Sequence, residues 1–348
     1  MKKRSTVSRK RDHVELTVKK DVSFRSKTAG FEEWEFVHNA LPELDRSAVD
    51  TSAVFLGKKL SFPLMISCMT GGYKEAEKIN RDLAEVCEEL QIAMGVGSQR
   101  QAMEDTAYHT SFSIARTAAP TIPLLGNIGA AEVARLNDVS PVLKLAELIR
   151  ADAFAVHLNP LQEFLQPEGN TDFRGVLNGI EMLVKKLPIP VIVKEIGAGI
   201  SWSVAERLTN IGVRYIDVAG AGGTSWAGVE ILRRTKDDRE QWNPFWDWGI
   251  RTADALREVV QLKEVYPELT IISSGGIVNG LDCAKSIALG ADMTAAARPM
   301  LKALIAGGKK GLTAKIEQWK LECAGAMFLT GISSMKLLQR TEALRQRP

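Results

Sequence analysis

The chain has 348 residues with 45 basic and 42 acidic side chains, so its formal charge at pH 7 is only +3. This near balance gives no reason to expect nucleic acid as a partner. A hydrophobic fraction of 45% allows a large buried core. Because α/β barrels often reach this length as one domain, we expect residues 1–348 to form a single domain.

The composition also bears on the compartment. The basic N-terminus is not followed by an apolar segment, and no apolar run approaches the ~18 residues of a membrane span. The four cysteines lack the paired spacing of a zinc site or disulfide framework; they are Cys68, Cys87, Cys283 and Cys323. We therefore expect a cytoplasmic protein with no membrane partner.

Residues 1–30 are polar and lack periodicity, which predicts an N-terminal arm. The arm carries a basic cluster that includes Arg9, Lys10 and His13. Such clusters are usually solvated tails. The alternative is an arm that folds over an anionic ligand.

From residue 63 onward, short apolar runs alternate with amphipathic stretches of helical period. The apolar runs cover residues 63–69, 92–97, 122–129, 153–158, 190–197, 215–223, 270–277 and 291–299. Eight strands alternating with helices predict a parallel sheet closed into a (β/α)8 TIM barrel. A doubly wound sheet is the alternative, but the first strand is not followed by a Gly-x-Gly-x-x-Gly fingerprint.

Residues 232–252 interrupt this alternation with a charged and then aromatic segment after the sixth predicted strand. A loop this long in a compact domain is usually functional. We expect a lid or an interface between subunits, or simple packing against the barrel rim.

The fourth predicted strand leads into a loop that combines four polar side chains, namely His157, Asn159, Gln162 and Glu163. Together they can bind an anion, hold a divalent cation and move a proton. In a TIM barrel the C-terminal ends of the strands build the active site. All but the last of the other seven strand ends also carry a polar side chain or a glycine: Met69-Thr70-Gly71, Ser98-Gln99-Arg100, Asn127, Lys194, Gly222-Gly223-Thr224, Gly275-Gly276-Ile277 and Ala296-Ala297.

Two of these ends are typical of phosphate binding. Gly275 and Gly276 precede one predicted helix, and Ala297 precedes another at Arg298. Glycines let backbone amides approach a phosphate, and helix N-termini favour its charge. The pair Gly275-Gly276 and the pair Gly222-Gly223 would each alone indicate only a tight turn. Together with Thr224 on the same rim, the two pairs favour a phosphate-bearing cofactor.

Lys194 stands inside the otherwise apolar run VIVKEI, where burial without a partner is costly. It could form a Schiff base with a carbonyl substrate or hold an electron-rich cofactor by its charge. We expect His157, Lys194 and Gly276 to face one common site.

These segments resemble the type 2 isopentenyl diphosphate isomerases, which are FMN-dependent TIM barrels. The segments that carry the resemblance run in the family's order: RKRDHVE (9–15), MTGG (69–72), GSQR (97–100), LGNIGA (125–130), HLNPLQE (157–163), VKEIG (193–197), AGAGGTSW (219–226) and SGGI (274–277). The resemblance implies interconversion of isopentenyl and dimethylallyl diphosphate with Mg²⁺ and a reduced FMN, commonly reduced by NADPH. It also implies a homotetramer or homo-octamer.

The resemblance assigns roles by position. FMN would contact Cys68, Met69, Thr70, Ser98, Asn127, Lys194, Thr224, Gly275, Gly276, Ile277, Ala296 and Ala297. The diphosphate substrate would contact Arg9, Lys10, His13, Ser98, Gln99, Arg100, His157, Asn159 and Gln162. Glu163 would bind Mg²⁺, and the side chains expected at the chemistry are Gln162, Lys194 and His157.

The chain departs from the family at two places. Val278 stands where family members often have Arg after Gly-Gly-Ile, and neither Ala296 nor Ala297 is a glycine. Both departures concern the contacts to the phosphate and leave the cofactor assignment unchanged. The alternative function is an FMN-dependent oxidoreductase such as an α-hydroxy-acid oxidase, which would need a base and an Arg for its carboxylate substrate. A non-catalytic nucleotide-binding scaffold is disfavoured because Lys194 and His157 would be costly there.

Overall fold

The computed structural model describes residues 6–347, apart from the side chains of residues 6–9 and 11. Eight strands form a closed barrel in which each strand pairs in parallel with the next, and the last pairs with the first to close the ring. The strands are β4 (Leu64–Ile66), β5 (Ala93–Gly95), β6 (Leu124–Gly129), β7 (Ala153–His157), β8 (Val191–Lys194), β9 (Tyr215–Asp217), β10 (Thr270–Ser274) and β11 (Met293–Ala296). The predicted TIM barrel and all eight predicted strands are confirmed.

Helices follow the strands and cover the barrel. Their bounds are α1 (Thr6–Lys19), α2 (Ala76–Leu90), α3 (Arg100–Glu104), α4 (Thr110–Ala118), α5 (Ala130–Val133), α6 (Ser140–Ile149), α7 (Pro160–Leu165), α8 (Val176–Lys186), α9 (Trp202–Asn210), α10 (Trp226–Arg233), α11 (Thr252–Val260), α12 (Gly280–Ala288), α13 (Arg298–Phe328) and α14 (Met335–Leu338). No helix of residues 6–347 has both the length and the apolar character needed to cross a membrane.

Alternation along the strands creates two apolar layers. One layer lies between the strands and the helices, and the other fills the barrel interior. A short antiparallel hairpin, β2 (Ala53–Phe55) and β3 (Lys58–Leu60), inserts Phe55 and Leu60 into the interior layer. Several polar side chains stand at or near the C-terminal ends of the strands: Asn127, His157, Lys194, Asp217 and Ser274. Outside the barrel, β1 (Trp34–Phe36) pairs with β12 (Leu344–Gln346).

The N-terminal arm is helical, which the sequence did not predict. Helix α1 occupies residues 6–19, and its weakly amphipathic sequence explains why no period was detected. Tertiary contacts anchor it: the guanidinium of Arg298 donates to the carbonyls of Thr17 and Lys20 at 2.8 and 3.0 Å. The arm is thus tied to the first turn of α13, and its folding over an anionic ligand stays a prediction.

The 232–252 loop contains two short 3-10 helices, Lys236–Asp238 and Glu240–Phe245. Trp246 is buried against the rim, and its indole Nε1 donates to the carbonyl of Ser23 at 2.9 Å. Trp248 is 60% exposed. Part of the loop therefore packs on the rim, and a lid or interface role stays a prediction.

Candidate active site

Two adjoining cavities open at the C-terminal rim of the barrel. The larger has a volume of about 530 Å³ and the smaller about 130 Å³. Both are lined by the same five residues at their junction, namely His13, Cys68, Met69, Ile196 and Trp226. A ligand in one cavity would therefore lie against a ligand in the other.

The larger cavity has a glycine-rich wall. Gly222, Gly275 and Gly276 have φ values of 121°, 96° and 70°, which favour glycine. A Cβ on Gly275 would lie 2.1 Å from the carbonyl oxygen of Gly220, so no larger residue fits. Three cations border the same cavity at Arg298, Lys302 and Lys315. This combination suits the phosphate of a planar cofactor.

Most residues predicted to bind FMN line this cavity. They are Cys68, Met69, Lys194, Thr224, Gly275, Gly276, Ile277, Ala296 and Ala297. The other three, Thr70, Ser98 and Asn127, line the smaller cavity. Burial raises the pKa of the Cys68 thiol to about 11, so this cysteine is a neutral wall residue. The residues present therefore fit a bound FMN.

The smaller cavity gathers the predicted substrate ligands. Those that line it are Lys10, His13, Ser98, Arg100, His157, Asn159 and Gln162, together with the predicted metal ligand Glu163. The ammonium of Lys10 donates to the carbonyls of Gly71 and Ser98 at 2.9 and 2.6 Å, which fixes the charge at the cavity wall. Oδ1 of Asn127 accepts from Nδ1 of His157 at 2.9 Å and fixes the imidazole plane.

The expectation that His157, Lys194 and Gly276 face one common site is wrong as stated, because they line two different cavities. His157 lines the smaller cavity, whereas Lys194 and Gly276 line the larger. Parallel pairing nevertheless places His157 and Lys194 at the same level of adjacent strands. The three residues thus occupy two halves of one rim.

Glu163 is the carboxylate best placed to hold a cation in the smaller cavity. It is 8% exposed, and its Oε1 accepts from Nδ2 of Asn159 at 3.0 Å. Its Oε2 accepts from Gln166 at 2.7 Å and from the amide of Asn170 at 2.6 Å, which orient the group. Oδ1 of Asn159 is buried and has no hydrogen-bond partner within the described part of the chain.

These donors fit Mg²⁺ only in company with ligand oxygens. The described residues bring no three metal-binding side chains of the His, Cys, Asp or Glu type together. Mg²⁺ is commonly held by one or two carboxylates plus substrate phosphates. Glu163, with the unpaired oxygen of Asn159 beside it, meets that requirement.

Glu230 is a site residue that the sequence reasoning missed. It is fully buried on α10, and its Oε1 accepts from Nε2 of Gln162 at 3.0 Å and lies 2.9 Å from Nε2 of His13. Its Oε2 pairs with Arg233 at 2.5 Å. Burial opposes ionisation, but His13 and Arg233 outweigh it and lower the pKa of the Glu230 carboxyl to about 2. The sequence offered one indication. Glu230 follows Trp226 of the segment AGAGGTSW by four residues, so the two side chains lie on the same face of α10.

Glu132 was also missed. It lines the smaller cavity, and its Oε1 pairs with Nη1 of Arg100 at 2.9 Å. This carboxylate holds the guanidinium in place beside the cavity. Glu132 was missed because it lies just beyond both the predicted strand (122–129) and the segment LGNIGA (125–130).

Two predicted substrate ligands stand apart. The side chain of Arg9 lies outside the described residues. Gln99 lines neither cavity, because its amide is fully buried, donates to the carbonyl of Leu145 and accepts from the amide of Asn127. The prediction that Gln99 touches substrate is therefore corrected: its side chain ties β6 to α6.

Comparisons with known proteins agree with this site. The chain matches the FMN-dependent dehydrogenase family over residues 2–124 and 155–345. It is 48% identical over 354 positions to isopentenyl-diphosphate delta-isomerase of Chlorobium limicola, covering 99% of this chain and 97% of that protein. The enzyme of the same name from Chlorobaculum parvum is 46% identical, with 98% of each chain covered.

A solved structure shares the fold at much lower identity. The putative lactate oxidase of Pediococcus acidilactici aligns with a TM-score of 0.70 and 15% identity, covering 98% of this chain and 94% of that chain. Such a likeness concerns the barrel alone. The sequence matches go further: this chain belongs to the FMN-dependent dehydrogenase family and, within it, to the type 2 isopentenyl diphosphate isomerases.

Proposed function

We propose that this enzyme interconverts isopentenyl diphosphate and dimethylallyl diphosphate, with reduced FMN in the larger cavity and Mg²⁺ with the substrate in the smaller. The observation that carries the proposal is the junction of the two cavities. An anionic head group bound in the smaller one would place its hydrocarbon end against a flat cofactor in the larger one.

The diphosphate would be held by cations and by Mg²⁺. Arg100, Lys10 and His157 line the smaller cavity and are suited to charge-assisted hydrogen bonds with phosphate oxygens. Arg9 and His13 would close the arm over the same group. Glu163 would bind Mg²⁺ with Asn159 beside it, which neutralises the substrate and fixes its orientation.

Reduced FMN, when bound, supplies an electron-rich face and an acid–base group beside the alkene. Two side chains of the protein would act beside the cofactor and the alkene. Gln162 is oriented by Glu230 and would hold or relay a proton near the reacting carbons. Lys194, 6% exposed at the wall of the larger cavity, would place its charge against the cofactor.

Protonation of an unactivated alkene gives a tertiary cation, which water would trap. Three of the junction residues, Met69, Ile196 and Trp226, present apolar surface at this point. They would exclude water from the reacting carbons. This arrangement suits a reaction without net redox change.

The experiment is an optical and product assay on purified protein under anaerobic conditions. We expect a yellow protein that NADPH bleaches and that then converts isopentenyl diphosphate to dimethylallyl diphosphate only with Mg²⁺ present. Consumption of an α-hydroxy acid with flavin reduction, and no isomerisation, would identify an oxidoreductase instead. The cytoplasmic location, NADPH as the cellular reductant and the oligomeric state stay predictions.

A further inference from the structure

Three consecutive strands end in polar side chains beneath the larger cavity. Lys194 ends β8, Asp217 ends β9 and Ser274 ends β10. Parallel pairing sets Lys194 directly beside Asp217. Lys194 and Ser274 line the larger cavity, whereas Asp217 is fully buried behind them. Asp217 therefore cannot touch a ligand except through its neighbours.

Two hydrogen-bond donors and one ammonium surround the carboxyl group of Asp217. Its Oδ1 accepts from the hydroxyl of Ser274 at 2.5 Å and from the amide of Ala219 at 3.2 Å. Its Oδ2 has no hydrogen-bond partner among residues 6–347 but lies 3.7 Å from Nζ of Lys194. Burial raises the pKa of the Asp217 carboxyl above its ordinary value, although the ammonium of Lys194 and the two hydrogen bonds act in the opposite direction.

Lys194 is held from two sides. Its Nζ donates to the backbone carbonyl of Glu195 and faces Oδ2 of Asp217. An ammonium has three N–H donors, so these contacts leave one for a cofactor atom in the cavity. A buried ammonium with a buried carboxylate beside it forms a nearly neutral pair, whereas the ammonium alone would add a full positive charge to the cavity wall.

We propose that Asp217 is a positioning residue that holds Lys194 against the flavin and offsets its charge, so that Asp217 sets the reduction potential of the bound FMN. The inference rests on the proposed binding of FMN in the larger cavity. Reduction adds electrons to the flavin, so an uncompensated positive charge nearby favours the reduced form.

The test is the midpoint potential of bound FMN, measured by anaerobic titration against a reference dye. Asp217→Asn keeps the size and the acceptor for Ser274 but removes the charge. We expect the potential to rise by at least about 30 mV, a tenfold gain in affinity for reduced over oxidised FMN. Asp217→Ser, a smaller neutral side chain, should shift the potential in the same direction and serves if the Asn variant does not fold.

The matched control is Asp292→Asn, which also removes one negative charge from an ion pair, with Lys263 at 2.8 Å, at a residue that lines neither cavity. The ratio of its affinities for reduced and oxidised FMN should stay within about threefold of the wild-type ratio. That limit corresponds to a shift of less than ~15 mV in the midpoint potential, because ~30 mV is tenfold for a two-electron couple. A neutral Asp217 variant with the wild-type potential, or a lower one, would overturn the proposal. Wild-type protein that holds no FMN would contradict the proposed function and this inference with it.

Discussion

The carboxylate of Glu230 links the N-terminal helix to the barrel, because its Oε1 lies 2.9 Å from Nε2 of His13. The same oxygen accepts the hydrogen bond from Gln162. Docking of helix α1 over the smaller cavity and orientation of the Gln162 amide are therefore coupled through one buried charge.

Removal of that charge should weaken the enzyme's fold. Glu230→Gln leaves His13 and Arg233 without their buried anion, and breaking a buried ion pair typically costs ~3–5 kcal/mol. We expect a loss of that order in the free energy of unfolding, measured with denaturant at pH 7. Glu181→Gln, which alters an exposed pair with Lys185, is the control and should change stability by less than ~1 kcal/mol.

The same carboxylate predicts a pH dependence. The folded pKa of Glu230, about 2, is below its ordinary value of 4.5, so its stabilisation is present above the ordinary value and is lost as pH falls toward 2. The contribution is on the order of 3 kcal/mol. Between pH 5 and 2 the wild type should therefore lose more stability than Glu230→Gln. Equal losses in the two proteins would argue against an ionised Glu230.

Mg²⁺ dependence should report on Glu163. Because it is the only predicted metal ligand, Glu163→Gln should raise the Mg²⁺ concentration for half-maximal activity at least tenfold, as loss of metal-site interactions commonly does. The assay is isomerase rate against Mg²⁺ concentration. Glu147→Gln, on the exposed side of α6, is the control. An unchanged Mg²⁺ requirement in Glu163→Gln would remove this residue from the metal site.

The basic residues of helix α1 should affect substrate and not cofactor. Arg9→Ala and Lys10→Ala each remove a cation expected at the diphosphate, and a hydrogen bond to a charged group contributes ~1.5–3 kcal/mol. We expect KM to rise roughly 10-fold to 100-fold with the FMN content unchanged. Lys19→Ala, which alters an exposed pair with Glu15, should leave KM unaltered. Loss of FMN in the first two variants would show that the arm binds the cofactor.

The glycine-rich wall of the larger cavity should be essential for tight binding of FMN. A Cβ on Gly276 would lie 2.8 Å from both the Cβ of Ala29 and the carbonyl carbon of Gly222, and its φ of +70° disfavours any side chain by ~1–2 kcal/mol. Gly276→Ala should lower the FMN affinity at least tenfold, measured by fluorescence titration. Gly307→Ala is the matched control, since nothing lies within 4 Å of a Cβ there. Equal affinities in both variants would disprove a close-fitting wall.

The barrel and most of the rim could be predicted because both are encoded locally. Apolar strand runs gave the eight strands, and a barrel necessarily brings their C-terminal ends together. Helix α1 could not be predicted in this way, because contacts such as those of Arg298 stabilise it and its own periodicity is weak.

The misplaced and missed residues share one physical cause. Gln99 stands at a strand end, but the chain turns there so that its amide faces the core. Glu230 and Asp217 stand within apolar segments and reveal a role only when the residues paired with them are known. Sequence order does not give those pairings, which depend on the tertiary packing.

The most direct test of the proposed function counts products against reductant. Enzyme with FMN, Mg²⁺ and isopentenyl diphosphate would be reduced once with NADPH under anaerobic conditions, and dimethylallyl diphosphate would be measured over time. The account predicts many product molecules for each NADPH consumed. One NADPH consumed for each turnover, or no dimethylallyl diphosphate formed by the reduced enzyme, would contradict it.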